Sequence, residues 1–261
     1  MPDMRTALVT GATSGIGHAF CRELAERGND LVIVARDRVR LENVSDELRA
    51  RYSVNVEILA VDLSKRTQLR KVADRLADRD RPVNLLVNNA GFGMSKSFLK
   101  GDLADEEAML DVLCRAVLVL SHTAALSMKE RGRGHIINVS SVIGFVPQGT
   151  YGAAKAWVTA FTETLAHELE GSGVSATALC PGFTHTEFHE RASLDMSRLP
   201  QALWLDADWL VRDCLDDVRA GKVISVPGIQ YKVIAGVAQI MPNSLLRVLS
   251  SRADSLRRRK R

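Results

Sequence analysis

The chain has 261 residues, 46% of them hydrophobic and 25% charged, which suits one large α/β domain with a sizeable buried core. Its four cysteines, Cys21, Cys114, Cys180 and Cys214, are widely separated and form no CxxC pair, so neither a zinc site nor a disulfide framework is indicated and a reducing, cytoplasmic setting is expected. The formal net charge of +4 sits at one end, because Arg252 to Arg261 holds six basic residues and one acid. That segment is read either as a solvated terminus or as a peripheral contact with an anionic membrane, and no nucleic-acid partner is expected. No apolar h-region precedes the first predicted strand and no uninterrupted run of 18 apolar residues occurs, so neither a signal peptide nor a spanning helix is expected.

Arg5 to Thr10 reads as a buried strand. It is followed by Gly11, Ala12, Thr13, Ser14, Gly15, Ile16 and Gly17, then by apolar residues at helical spacing, Ile16, Phe20 and Leu24, closing at Gly28. A strand, glycine turn and helix in that order bring backbone N–H groups to a helix N-terminus where a pyrophosphate can approach closely. Leu31 to Ala35 is a second strand. Dinucleotide folds usually carry an acid at its end for the adenosine ribose, but here Ala35 is followed by Arg36, whose planar fork suits a 2′-phosphate and favours NADP(H), with NAD(H) the alternative that Asp37 keeps open.

A helix is predicted over Leu41–Arg51 and a third strand over Val56–Val61. Asp62 and Leu63 follow, with Asp62 placed to accept from an adenine amino group or to cap a helix from Ser64. Leu85 to Asn88 forms a fourth strand running into Asn89, Ala90 and Gly91, small and amide residues against which a flat cofactor can lie, with Phe92 next to them. Asp102 to Arg131 is predicted as one long helix, His135 to Val139 as a fifth strand, and Ser140 and Ser141 stand at its carboxyl end, where open α/β sheets bind ligands.

Tyr151 and Lys155 lie four apart at the start of a helix reaching Glu170, so phenol and ammonium share a face. A fixed cation beside a phenol is expected to lower its pKa and make it an acid–base group for a carbonyl or alcohol oxygen. Ser175 to Cys180 is a sixth strand, leading through Pro181, Gly182, Phe183 and Thr186 into a loop that brings Phe188, Leu194, Met196 and Trp204 to a substrate. His185, Glu187 and His189 do not form HExxH and lack a clear third ligand, so no metal is expected. A helix over Asp206–Ala220 and a seventh strand over Lys222–Pro227 complete a doubly wound parallel sheet of seven strands in one domain, residues 1–228 including the loop at 183–205, followed by an apolar, then basic, extension at 229–261.

Thr10-Gly11-xxx-Gly15-Ile16-Gly17, Asn88-Asn89-Ala90-Gly91, Ser141, Tyr151-xxx-Lys155 and Pro181-Gly182, in that order, resemble the short-chain dehydrogenase/reductase family. The resemblance implies a Rossmann fold with strand order 3-2-1-4-5-6-7, a nicotinamide cofactor and reversible hydride transfer between carbonyl and alcohol. It assigns Ser141 to the substrate oxygen, Tyr151 to proton exchange and Lys155 to the nicotinamide ribose. Gly11, Gly15 and Gly17 take the pyrophosphate, and Phe183 and Thr186 the carboxamide end. It further implies a homodimer or homotetramer built on the helices near 102–131 and 151–170. The wording of 138–189 is similar to bacterial ketoacyl and lipid-type carbonyl reductases, which implies a hydrophobic ketone or 3-oxoacyl substrate. Two departures stand out. Leu113 occupies the place where the family carries an asparagine that anchors a proton-passing water, and Ser141 precedes Tyr151 by ten residues, about three fewer than is common, with Ser140 as the alternative register. Leu113 is also the feature that keeps open a redox-sensing or scaffold protein of the same fold with little catalysis.

Overall fold

The computed structural model describes residues 6–94, 96–188 and 200–241. Seven strands form one parallel sheet in the order β3-β2-β1-β4-β5-β6-β7: β1 Thr6–Thr10, β2 Asp30–Ala35, β3 Val56–Ala60, β4 Leu85–Asn88, β5 Gly134–Val139, β6 Val174–Leu179 and β7 Ile224–Ser225. Between them run α1 Gly15–Glu26, α2 Arg38–Tyr52, α3 Arg66–Ala77, α4 Leu103–Leu110, α5 Val117–Glu130, α6 Gly149–Glu168 and α7 Ala207–Arg219, and α8 Ile229–Ile240 follows β7.

Side chains alternate across each strand, which explains the two helical layers. Ala7 and Val9 of β1, Leu31 and Ile33 of β2, and Leu85 and Val87 of β4 pack with Phe20, Leu24, Leu41 and Leu210 from α1, α2 and α7. Leu8, Val32, Val34 and Leu86 face the other way, into Leu69, Val72, Leu120 and Met128 from α3 and α5. Chain order reverses at β1, which pairs with β2 on one side and β4 on the other, the switch point at whose carboxyl strand ends open α/β sheets form their ligand crevice.

Three expectations shift. The helix predicted over 102–131 is interrupted by a π turn, Asp111–Ala116, that inserts an extra residue into its register and contains Leu113. The run Leu103–Glu130 is long and apolar enough to cross a bilayer, yet half of its most apolar stretch is buried within the protein, as befits a core helix. Asp62 caps no helix: its Oδ1 accepts from the backbone N–H of Ser64 at 2.9 Å, and α3 begins only at Arg66. The seventh strand shrinks to two residues, because the Lys222 N–H is spent on Asp217 O at 3.0 Å and Pro227 cannot donate to a ladder.

One buried polar network ties the sheet to its helices near the crevice. Asn88 Nδ2 donates to Asn138 Oδ1 at 2.9 Å and to Ser121 Oγ at 3.1 Å, while Asn138 Nδ2 donates to Thr162 Oγ1 at 3.0 Å. Asn138→Leu takes one partner each from Asn88 Nδ2 and Thr162 Oγ1 in a dry setting, leaving them Ser121 Oγ and Val158 O. It is expected to lower stability by about 2–3 kcal/mol, read as a lower urea midpoint at unchanged m-value.

Candidate active site

The crevice begins with the glycine turn. Thr10 Oγ1 accepts from the N–H groups of Asn89 and Ala90, both at 3.0 Å, and Asn89 Nδ2 donates to Thr10 O at 3.0 Å and Gly11 O at 3.3 Å, so the ends of β1 and β4 are laced together. Gly11 holds φ +68°, and a Cβ on Gly17 would stand 2.2 Å from Gly11 O, so neither position admits a side chain. Ser14 is the N-cap of α1 without a side-chain hydrogen bond to it, and the first-turn N–H groups of Gly15, Ile16 and Gly17 form the positive end of the helix. Thr13 and Ser14 flank this turn half-buried, while Ile16 packs against the core beneath it.

On the adenosine side Arg36 is exposed and has no ion-pair partner among the described residues. Asp37 is committed as the N-cap of α2, its Oδ1 accepting from Arg40 N at 3.1 Å. Burial works against the Asp62 carboxylate, but hydrogen bonds from Ser64 and the nearby Arg36 charge prevail and hold it below the usual carboxylate range. Leu63 turns its side chain into the core, leaving only its backbone to the crevice. Arg40 reaches Glu187 at 2.9 Å, joining the start of α2 to the segment that follows β6.

At the other end, α6 is pinned to β5. Lys155, 5% exposed, donates from Nζ to Val139 O at 2.7 Å, and Ser140 Oγ donates to Lys155 O at 2.7 Å and contacts Thr159 Oγ1 at 2.7 Å. Ser140 is thereby engaged with α6. Ser141 is the half-buried hydroxyl at the strand end: its Oγ contacts Pro181 O at 3.4 Å and accepts from Ile143 N at 3.3 Å. The short segment between Ser141 and Tyr151 winds into a 3-10 turn, Val142–Phe145, and a Cβ on its Gly144 would meet Ala156 N at 2.8 Å, a close approach of this turn to α6.

Tyr151 is half-buried, and its hydroxyl has no hydrogen-bond partner among the described residues. Its ring packs with Phe92 on Met109, Leu113 and Ala154, lies 5.7 Å from the Phe188 ring, and has Lys155 Nζ 5.7 Å from its centroid. The expected acidification of the phenol does not hold in this geometry. Burial pushes the Tyr151 pKa up, because it disfavours the charged phenolate. Burial also lowers Lys155, to about 8.

The segment after β6 is closed at both ends. Leu205 N donates to Phe183 O at 2.8 Å and His185 N to Leu205 O at 3.0 Å. Trp204 stacks on His185 at 4.6 Å and lies 6.1 Å from Phe183. Thr186 lies against Gly15, its Cβ 2.9 Å from where a Cβ on that glycine would stand, and Pro181 O accepts from Val142 N at 3.1 Å. His185 and Glu187, stacked and ion-paired respectively, are held apart from each other's chemistry; His189, Leu194 and Met196 lie outside the described residues.

The family model of the short chain dehydrogenases matches residues 5–197. The chain belongs to this family. Among its relatives is sulfoacetaldehyde reductase 2 of Chromohalobacter salexigens, 38% identical over 69% of this chain and 73% of that one. A short-chain dehydrogenase from Sphingobium yanoikuyae, solved with NADPH, is 35% identical with a TM-score of 0.83, covering 90% of this chain and 93% of that one. One from Burkholderia phymatum, solved with NAD, is 26% identical with a TM-score of 0.79, covering 90% and 92%. As a short-chain dehydrogenase the protein is an NAD(P)-dependent oxidoreductase, and its residues fit such a cofactor: a helix N-terminus free of a side-chain cap, a turn that admits only glycine, and Gly91, where a built Cβ would lie 4.0 Å from Lys155 Nζ.

Motif reading missed several residues that shape this dehydrogenase's site. Asn138 announces itself as a lone amide inside an apolar strand, HIINV, but Ser121, Thr159 and Thr162 look like ordinary helix-surface residues until β5 is packed against them. Tyr231 of α8 gave no signal at all: it is 2% exposed, its hydroxyl accepts from Phe183 N at 3.0 Å and donates to Leu203 O at 2.5 Å, and a Cβ on Gly182 would lie 2.1 Å from its ring.

The lowered Lys155 pKa predicts a specific pH response. Between about pH 8 and its ordinary 10.5 the unfolded chain keeps a proton here that the folded chain has released, so stability rises with pH through that window and is lost again as pH falls to 8. Denaturant melts of wild type and Lys155→Met from pH 7 to 10 are expected to show the wild type gaining on the variant by roughly 2–3 kcal/mol over that span.

Proposed function

We propose that the protein is an NADP(H)-dependent carbonyl reductase acting on a hydrophobic ketone or 3-oxoacyl-type substrate, with Ser141, Tyr151 and Lys155 as its catalytic residues. The observation that carries this reading is the Tyr151 hydroxyl, without a hydrogen-bond partner among the described residues and one turn before Lys155, whose Nζ is bonded to Val139 O at the carboxyl end of β5. When bound, the nicotinamide supplies the two electrons and the hydrogen that reach the carbonyl carbon. Ser141 Oγ donates a hydrogen bond to the carbonyl oxygen. Tyr151 gives that oxygen its proton, a role for which a phenol kept neutral by burial is suited, and it recovers a proton from solvent. Lys155 keeps α6 on β5 and offers its ammonium to the nicotinamide ribose and to the phenolate that each turnover leaves behind. Leu113 beside Gly91 offers no hydrogen bond, so proton return runs without the family's asparagine.

For the cofactor, Gly11, Thr13, Ser14, Gly15, Ile16 and Gly17 cradle the pyrophosphate, Asp62 and the Leu63 backbone meet the adenine, and Asn89, Ala90 and Gly91 line the path to the nicotinamide. Pro181, Gly182, Phe183 and Thr186 hold the carboxamide end. The preference for NADP(H) over NAD(H) rests on Arg36 standing without an acidic partner while Asp37 caps a helix. Phe92, Phe188 and Trp204 line the substrate side, and their apolar character supports a hydrophobic carbonyl compound. The sulfoacetaldehyde reductase is named for a carbonyl substrate too, but a small and charged one. Residues 1–228 would form the catalytic domain, the working enzyme a cytoplasmic homodimer or homotetramer, and 229–261 an extension in peripheral contact with a membrane.

Tyr151→Phe is expected to cut NADPH-dependent ketone reduction by at least about a hundredfold while NADPH affinity, measured by fluorescence titration, stays unchanged. Full activity in that variant defeats the assignment. Arg36→Ala is expected to weaken NADPH binding about tenfold or more and leave NADH binding as it was. An equal loss for both cofactors assigns the 2′-phosphate to another group.

A further inference from the structure

The last described helix has two faces of opposite use. Tyr231, Ala235 and Ala238 are buried against the body at 2%, 4% and 7% exposure, and Tyr231 bonds both ends of the segment after β6. On the outer side Ile229, Val233, Ile234 and Val237 stand 75%, 59%, 46% and 51% exposed. At the helical repeat, Ile229, Val233 and Val237 fall within an arc of about 80°, with Ile234 bordering it. A stripe of aliphatic side chains left in water on one helix marks a contact surface.

The sequence behind the stripe says what covers it. Residues 242–261 carry seven basic side chains and one acidic one, Asp254, and the only ionisable side chains on α8 are Lys232 and the inward Tyr231. A second copy of the chain would bring the same excess of positive charge toward itself. An anionic lipid surface brings the complement, together with an apolar layer for the stripe, and the pairing of an apolar helix face with a cluster of basic residues is how interfacial segments bind such surfaces. We propose that α8 and the basic segment following it dock the protein on an anionic lipid bilayer, with Ile229, Val233, Ile234 and Val237 entering the headgroup boundary.

The same helix holds the described ends of the segment after β6. Tyr231 fastens Phe183 and Leu203, and Gln230 Nε2 reaches Ala202 O at 3.4 Å. Docking therefore brings the two described ends of that segment, beside the proposed substrate residues Phe183 and Trp204, to the lipid surface. That consequence, unlike the docking itself, rests on the reading of the crevice as a site for an apolar carbonyl compound.

The test is co-sedimentation of the full chain with vesicles of phosphatidylcholine alone or mixed with phosphatidylglycerol, without cofactor or substrate, so its outcome is separate from that of any activity assay. Binding is expected to the mixed vesicles only. It should fall at least about tenfold when the chain stops after Met241, and vanish in Val233→Glu/Val237→Glu, a pair chosen at exposed positions and checked for an unchanged thermal midpoint. Wild type that leaves mixed vesicles in the supernatant as the double variant does overturns the proposal. So does a double variant that binds them as wild type does. A double variant that turns a dimer into a monomer in light scattering, with wild-type lipid binding nil, assigns the stripe to a second copy instead.

Discussion

A single ammonium organises the chemistry of this fold. Lys155 sits among buried groups, bonded through Nζ to Val139 O, while its own carbonyl accepts from Ser140. Two bonds in opposite directions sew the second turn of α6 to the carboxyl end of β5, and both Ser141 and Tyr151 lie within about a turn of the seam. Ser141 follows Ser140, Tyr151 stands one turn before Lys155, and Gly144 presses its backbone on Ala156. A charge placed so deep costs stability, and it is tolerated because a carbonyl and the neighbouring polar groups partly replace its water.

The same low-dielectric setting decides the state of the phenol. Motif logic sees a cation one turn away and concludes that the tyrosine becomes more acidic. The folded protein places both groups where each disfavours its own charged form, so an uncharged phenol faces a weakened ammonium. The arrangement suits giving up a proton to a carbonyl oxygen more than holding a standing negative charge. Polar order in the interior, from Asn88 through Asn138 to Thr162, fixes the strands and α6 relative to one another, so Tyr151 is carried on a rigid platform.

Much of this was legible from residue order. Strands such as LVIVA and LLVN are short apolar runs bounded by glycine or amides, and their alternation with helices requires parallel pairing, so the parallel sheet followed, while its order came with the family resemblance. The glycine turn and the Tyr151–Lys155 spacing are local patterns, visible because the residues that meet are neighbours in sequence. What stayed hidden depends on distant contacts. The π turn at 111–116 leaves no compositional trace, β7 was cut short by a lysine N–H spent on Asp217 O, and Tyr231 reaches Phe183 across 48 residues. Asp37 could not be assigned until α2 was seen to start at Arg38 and claim it as a cap.

The brevity of β7 carries a consequence of its own. An outermost strand exposes a ladder of unused donors and acceptors, and a long one invites a stranger's chain to zip onto it. Here that rim offers two residues, bounded on one side by a proline and flanked by a glycine held at φ +89°. The protein thus keeps a wide, strongly apolar sheet while denying fibrils a template on that flank, which frees the chain to be rich in aliphatic strands without becoming sticky.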